Sequence, residues 1–531
     1  MPEPEHRRRP GAHRLSRRGL LGSGAALGSL GLLAACSNGA GGGEHFQVEG
    51  PPRKGGILRV GLTGGSAADT ADAHSPVNNG DIARTVNLYD PLLMRDDDYV
   101  LRPRLATSFK PNAAATVWTA TLRTGVRFSD GSPLEPEDVV YTFKRITDKK
   151  DPKVIASGLT MLDDVVKTGP HTVEFRLSEP NSVLDDQIGQ YAGGIVPRGY
   201  DPKKPIGTGP FVLESFAPGE STVLKPNPHY WGKTGPFVDE VRLLSFNDDD
   251  AVINALLSSQ VDAVSQIPLA LVEVIGSDER MAILNSKTGR WMPFTMRVDR
   301  PPFDDVRVRQ AFRLVVDRQQ MIDQVLSGFG QLGNDMYGIL DPAYPKDIPQ
   351  RTQDIAKAKE LLAAAGHGNG LKVELVTAPI QSGVVEAAQV FAQQAKAADI
   401  DVSIRRVDST TFFGDDYLQW DFAQDFWNSR NILGQTVAGT VKDAPFNETH
   451  WDNPRFERLA AQARGELDEA KRAKLIRQGQ EMLFDEGGYI IWGFANQVDA
   501  YQKYVAGMKE NATGIPLGGY NFNRVWIGEV S

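Results

Sequence analysis

The sequence predicts an α/β protein of two or three lobes. Three observations carry that expectation. The chain has 531 residues, more than one hydrophobic core ordinarily organises. Its 41% apolar content is enough to fill real cores. From about residue 55 to the C-terminus, segments of strand-like character alternate with segments of helical period.

In chain order, structure is expected to begin near Gly55-Gly56, because Ile57-Leu58-Arg59-Val60-Gly61-Leu62 reads as a strand. Trp118 to Arg123 and Thr172 to Leu177 alternate with period two, as half-buried strands do. Pro136 to Phe143 reads as a helix start, with Glu137 and Asp138 favourable in its first turn. Asp304-Asp305 precede another helix, with Val308, Phe312 and Val315 on one face. Ile355 to Ala365 reads as a helix that Gly366 ends in a left-handed cap. The stretch Gly366-His367-Gly368-Asn369-Gly370 follows a helix and does not open one, so it reads as cap and turn, not as a phosphate loop. Asp468 can cap a helix running to about Asp485, with Leu475, Ile476, Met482 and Leu483 inward. Gly487-Gly488 breaks it, and Tyr489 to Trp492 returns to strand. No internal repeat of fixed period is found.

The N-terminus reads as a secretory leader. Ser16-Arg17-Arg18-Gly19-Leu20-Leu21 sits in a basic region, an apolar stretch runs from Gly19 to Leu33, and Leu33-Ala34-Ala35-Cys36 closes it. The basic part resembles a twin-arginine export signal, and the closing run resembles a bacterial lipoprotein box. The resemblance implies cleavage before Cys36, the only cysteine, and lipidation of its thiol. Residues 1–35 are then signal peptide. Residues 36–53, rich in Gly, Ser, Asn and Pro, form a flexible tether.

Composition excludes several functions. The whole chain carries a net charge of −9, and residues 1–35 contain six Arg and two Glu, so the remainder lies near −13. An acidic surface argues against nucleic acid and against a polybasic membrane patch. No segment after the leader approaches a membrane span. No Gly-x-Ser-x-Gly elbow or His-Glu-x-x-His motif occurs after residue 36, so an enzyme is not expected. His45, His74, His171, His229, His367 and His450 are scattered, and no metal or cofactor is expected. Asp248-Asp249-Asp250 reads as a helix cap and Asp96-Asp97-Asp98 as a solvated turn.

Five segments, in order, carry a specific resemblance. They are Tyr89-Asp90-Pro91-Leu92-Leu93 with Arg102 to Phe109; Trp118 to Leu134 continuing into Glu137 to Arg145; Pro205-Ile206-Gly207-Thr208-Gly209-Pro210-Phe211; Asn227-Pro228-His229-Tyr230-Trp231; and Pro301-Pro302-Phe303-Asp304-Asp305 to Ala311 with Asp317-Arg318. Most of these pieces have scaffold roles as turns and anchors. Together the chain from about residue 55 onward resembles the family 5 extracellular solute-binding proteins, receptors of ABC importers for oligopeptides, dipeptides and nickel. The resemblance implies a two-lobed, hinged periplasmic-binding-protein-like fold with an additional domain on the first lobe. Carried over, lobe I takes 54–97, 204–296 and 487–531, the additional domain 98–203, and lobe II 297–486. It also implies a protein that takes a small solute in the cleft and docks on permease subunits, with a monomer as the default state.

The same resemblance indicates which residues choose the ligand. Peptide-binding members hold the ligand's ammonium with a second-lobe aspartate, and setting Trp427 on the family tryptophan puts Arg430 at that place. A guanidinium repels ammonium but binds carboxylate or phosphate in bidentate fashion. Arg430 then either contacts an acidic or carbonyl-rich ligand, or is swung out or paired with Asp421 or Asp425. Trp427 is a pocket wall or a core ring. Arg297, where the family usually has asparagine, is a second cation or a hinge partner of Asp299. Asn87 and Tyr89 lie near the family's cleft-facing loop, as does the turn Thr63 to Ser66. A sensor receptor that feeds signalling would keep the same cleft, and a receptor for an anionic nickel or other metal chelate is a further reading.

Overall fold

A computed structural model describes residues 50–528, which belong to one compact unit. The leader, Cys36 and most of the tether lie outside the described residues. Three sheets organise the chain. The first places strands in the order Met281–Trp291, Gly493–Gln502, Ala263–Val264, Ile57–Thr63, Glu240–Phe246, Ser221–Pro226 and Phe211–Ala217, with Gly330–Leu332 added beside Gly493–Gln502. The second runs Ile400–Arg406, Leu371–Thr377, Phe422–Gln424, Phe294–Met296 and Tyr489–Ile490. The third is an antiparallel set: Ala106–Pro111, Val117–Leu122, Thr172–Leu177 and Leu162–Lys167. The fold is therefore α/β with two lobes and an additional domain.

The sheets place three segments outside their expected lobes. Gly330–Leu332, expected in lobe II, pairs with the first sheet. Phe294–Met296 and Tyr489–Ile490, both expected in lobe I, pair with each other in the second. The reason is the hinge. Two neighbouring antiparallel segments cross between lobes, one through Met292-Pro293 and the other through Ile491-Trp492. Each strand is assigned by its hydrogen-bond partners and not by its place in the chain.

Local chemistry explains the elements. Val117–Leu122 alternates half-buried and buried positions along its length, so one face packs on the core of the additional domain. Pro136–Ile146 opens with a reciprocal capping box between Glu135 and Asp138. Asp248, Asp305 and Asp468 each accept a backbone N–H at a helix start. Gly366 has φ +94°, the left-handed cap its position demands.

The glycines at 207 and 209 are required by a close approach of two backbone segments. Neither has positive φ; a Cβ on Gly207 would lie 2.1 Å from the Leu88 carbonyl oxygen, and one on Gly209 2.5 Å from that of Asn87. Backbone meets backbone here, so only hydrogen fits. Beside them buried Asp90 takes an ion pair from Arg104, the Thr208 hydroxyl at 3.1 Å and the Trp231 indole N–H at 2.8 Å. Three of the five motif segments thus meet at one carboxylate.

Candidate functional site

A cavity of about 420 Å³ opens where the two crossing segments join the lobes. Thr63, Gln266 and Asn496 line it from the first sheet, and Gln381, Ser382 and Phe426 from the second lobe. Its size falls within the roughly 300–1,000 Å³ of small-molecule sites. Trp291 and Trp427 form its aromatic wall. They exchange two backbone hydrogen bonds at 2.9 and 3.0 Å, and their rings stack at 6.0 Å between centroids with 15° between planes.

Trp427 therefore lies both in a cluster of buried rings and on the cavity wall, and its indole N–H finds no partner among the described residues. Arg430 is exposed and stacks over the Trp427 ring at 5.3 Å. It makes no hydrogen bond or ion pair among the described residues. Asp421 pairs instead with Arg300 at 3.0 Å, and Asp425 accepts from Tyr417 at 2.9 Å and from the Phe426 N–H. Surrounding protein lowers the Arg430 pKa, partly offset by Tyr99, Asp186 and Tyr191, and Arg430 is not among the residues that line the cavity.

Three other expected site residues have structural places. Arg297 is buried and forms a bidentate pair with Asp299 at 2.7 and 2.8 Å, with further bonds to Leu418 and Gln419. Its charge is used within the protein, as the hinge-partner alternative has it. Asn87 is buried and donates to the carbonyls of Ala83 and Tyr520. Tyr89 is buried, its hydroxyl donating to the Ala71 carbonyl at 2.7 Å and meeting that of Tyr200 at 2.6 Å. Both face inward because the end of the helix Asn79–Leu88 and its cap residue Tyr89 pack against the backbone at 207–209. From the expected turn only Thr63 reaches the cavity, donating to Asp249 at 2.8 Å. Among the described residues no three His, Cys, Asp or Glu side chains are grouped to hold a metal.

Several cavity residues escaped notice in the sequence. Trp291, Gln497 and Arg290 lie on the paired strands Met281–Trp291 and Gly493–Gln502, neither of which the local pattern singled out. The one available signal was Gly289-Arg290-Trp291-Met292-Pro293, an arginine beside a glycine and a tryptophan just before a strand-breaking proline.

Two α/β lobes joined by paired crossing segments, with a solute-sized cavity at the joint, define a hinged ligand-binding protein. Residues 100–441 match the family described as bacterial extracellular solute-binding proteins, family 5 Middle, and the chain belongs to that family. It is 29% identical over 430 residues to Protein XP55 of Streptomyces lividans, covering 76% of this chain and 78% of the relative. To a dipeptide-binding protein of Escherichia coli it is 25% identical over 466 residues, covering 80% and 86%. Among solved structures it resembles the ABC transporter-associated periplasmic binding protein DppA of Helicobacter pylori in complex with the peptide STSA, with TM-score 0.74, 21% identity and coverage of 90% of this chain and 99% of the other.

Proposed function

We propose that this protein is the ligand-capturing lipoprotein of an ABC importer, taking a peptide-like or acidic small solute in the cleft and delivering it to permease subunits. The observation that carries this reading is the cavity of about 420 Å³ lined from both lobes. Only a ligand that touches both lobes stabilises their closed arrangement over the open one, and this cavity offers surfaces on each. Relatives named for dipeptide binding support the peptide-like class. Arg430, unpaired over Trp427, supports an acidic member of that class.

The leader and Cys36 support export by the twin-arginine route and a lipid anchor on the outer face of the membrane. Among the described residues no helix is long and apolar enough to cross a bilayer, so attachment rests on that lipid. The protein acts as a monomer, with residues 36–53 as the tether.

The test is native mass spectrometry of the purified protein, followed by release and identification of what it carries. An acidic small molecule or carboxylate-rich peptide is the expected result. A peptide held through its free amine, with no acidic group required, would overturn the acidic preference and leave an ordinary peptide receptor. Should the protein emerge empty, a thermal-shift screen replaces it, since a ligand at 100 times its Kd adds about 2.7 kcal/mol to stability.

A further inference from the structure

The strand Met281–Trp291 does not pair regularly with Gly493–Gln502. Ser286 opposes Gln497, and Arg290 opposes Ala495, so four steps on one strand match two on the other. The register breaks at a bulge, a device that re-aims side chains next to sites. Here the bulge is pinned on three sides. The Thr288 hydroxyl donates to the Ala495 carbonyl at 2.7 Å and accepts from the Arg290 N–H at 3.1 Å. The Gly289 N–H donates to the Ser429 hydroxyl of lobe II at 2.9 Å. Gly514, at φ +82°, leaves room for the Arg290 stem, which lies 3.1 Å from where a Cβ would be.

The bulge delivers Arg290 to the cavity wall. Its guanidinium donates once, to the Gln497 side-chain oxygen at 2.7 Å, and makes no ion pair among the described residues. Asp499 is the carboxylate that supports its charge from within the protein, yet it is saturated by other donors: the N–H groups of Gln266 at 2.9 Å and Leu517 at 2.6 Å, and the Gln497 amide at 2.7 Å. Gln497 thus stands between the two, its oxygen turned to Arg290 and its nitrogen to Asp499. That amide orientation holds the guanidinium in place while leaving most of its five N–H donors free. A partly enclosed cation with unused donors favours an anionic partner from the ligand.

We propose that Arg290 is the carboxylate-binding residue of the cleft: it receives a ligand carboxylate while Trp291, Trp427 and Phe426 pack the ligand's apolar part. This rests on the solute-receptor reading above and narrows it to a carboxylated solute anchored at the hinge. Anchoring there links binding to closure, because the Arg290 strand also contacts lobe II through Gly289 and Ser429. Asp249, which accepts from the Thr63 hydroxyl, is the carboxylate that lines the same cavity.

The test is calorimetric titration of the full chain with a panel of di- and tripeptides bearing an aromatic last residue, each as the free acid and as the C-terminal amide. Wild type is expected to prefer the acid by roughly 10- to 150-fold, the range of a charge-assisted hydrogen bond. In Arg290→Gln the preference should shrink to about twofold or less as the acid loses affinity and the amide does not. Arg290→Lys should keep part of it, and this keeps the test decisive if the Gln variant folds poorly. Retention of the full preference in Arg290→Gln overturns the proposal. Equal binding of acid and amide to wild type also overturns it and leaves the peptide-receptor reading standing. Failure of wild type to bind either form of any peptide overturns both the carboxylate anchor and the peptide-like ligand class.

Discussion

Arg430 and Arg297 are both cations, and their surroundings separate them. Arg430 makes no ion pair or hydrogen bond among the described residues, with Asp186 the carboxylate that supports its charge. Arg430→Asp is expected to weaken an acidic solute at least about tenfold, the effect of removing one charge-assisted contact, and to admit ligands with a free amine. Unchanged affinity in Arg430→Ala, measured by calorimetry, would remove Arg430 from the site. Arg297 instead spends its charge on Asp299. Arg297→Asn should lower stability by about 1–2 kcal/mol, discounted because Asp299 is half-exposed, and leave ligand affinity as it was. Denaturant unfolding alongside titration checks both halves. Nothing at the level of residue type separates the two arginines, which is why the sequence left the role of each open.

At the level of elements, the two kinds of glycine make contrasting demands. Gly207 is needed because a Cβ would strike the Leu88 carbonyl, whereas Gly366 is needed for its positive φ, with no atom within 4 Å of a Cβ there. Gly207→Ala should therefore cost about 3 kcal/mol by forcing backbone apart. Gly366→Ala should cost only about 1–2 kcal/mol, from left-handed strain alone. Melting temperatures of the two variants test the ordering, and a larger loss for Gly366 would contradict it. Strand and helix positions were legible beforehand because burial periodicity and capping act within a few residues. Thr172–Leu177 and the cap at Asp468 follow from local rules alone. The bulge at Arg290 does not, since it arises from how Met281–Trp291 meets a strand about 200 residues away.

For the whole molecule, buried carboxylates in lobe II link stability to pH. Burial pushes the Asp425 carboxyl up to about 6, against donated hydrogen bonds that pull it down, and Glu448 beside it is raised further. Glu448 accepts from the Tyr489 hydroxyl at the hinge, so this pair sits behind the Trp427 wall. A folded pKa above the unfolded value means the folded state holds the proton more tightly, so this contribution is full at low pH and lost as pH rises through 6. Asp425→Asn should thus be more stable than wild type at pH 7.5, by about 2–3 kcal/mol from a shift of two units, and equal to it near pH 4. His74 works the other way. Burial, with Arg145 next to it, lowers its pKa to about 4, so its contribution is lost as pH falls from 6.5 toward 4. Thermal unfolding of Asp425→Asn across this range measures the first term by itself. A stability gap that stays constant with pH would rule out the buried charge as its cause.

The order of elements, the helix caps and family membership were determined by the sequence itself. Each depends on neighbours a few residues apart or on motifs read in line. Which residues face the cleft was decided by tertiary structure. Asn87 and Tyr89 turned inward, Arg297 found Asp299, and Arg290 reached the cavity through a bulge. Those outcomes depend on which distant strand pairs with which, and at what register. A change of one residue in register reverses the face a side chain meets, and no local pattern records it.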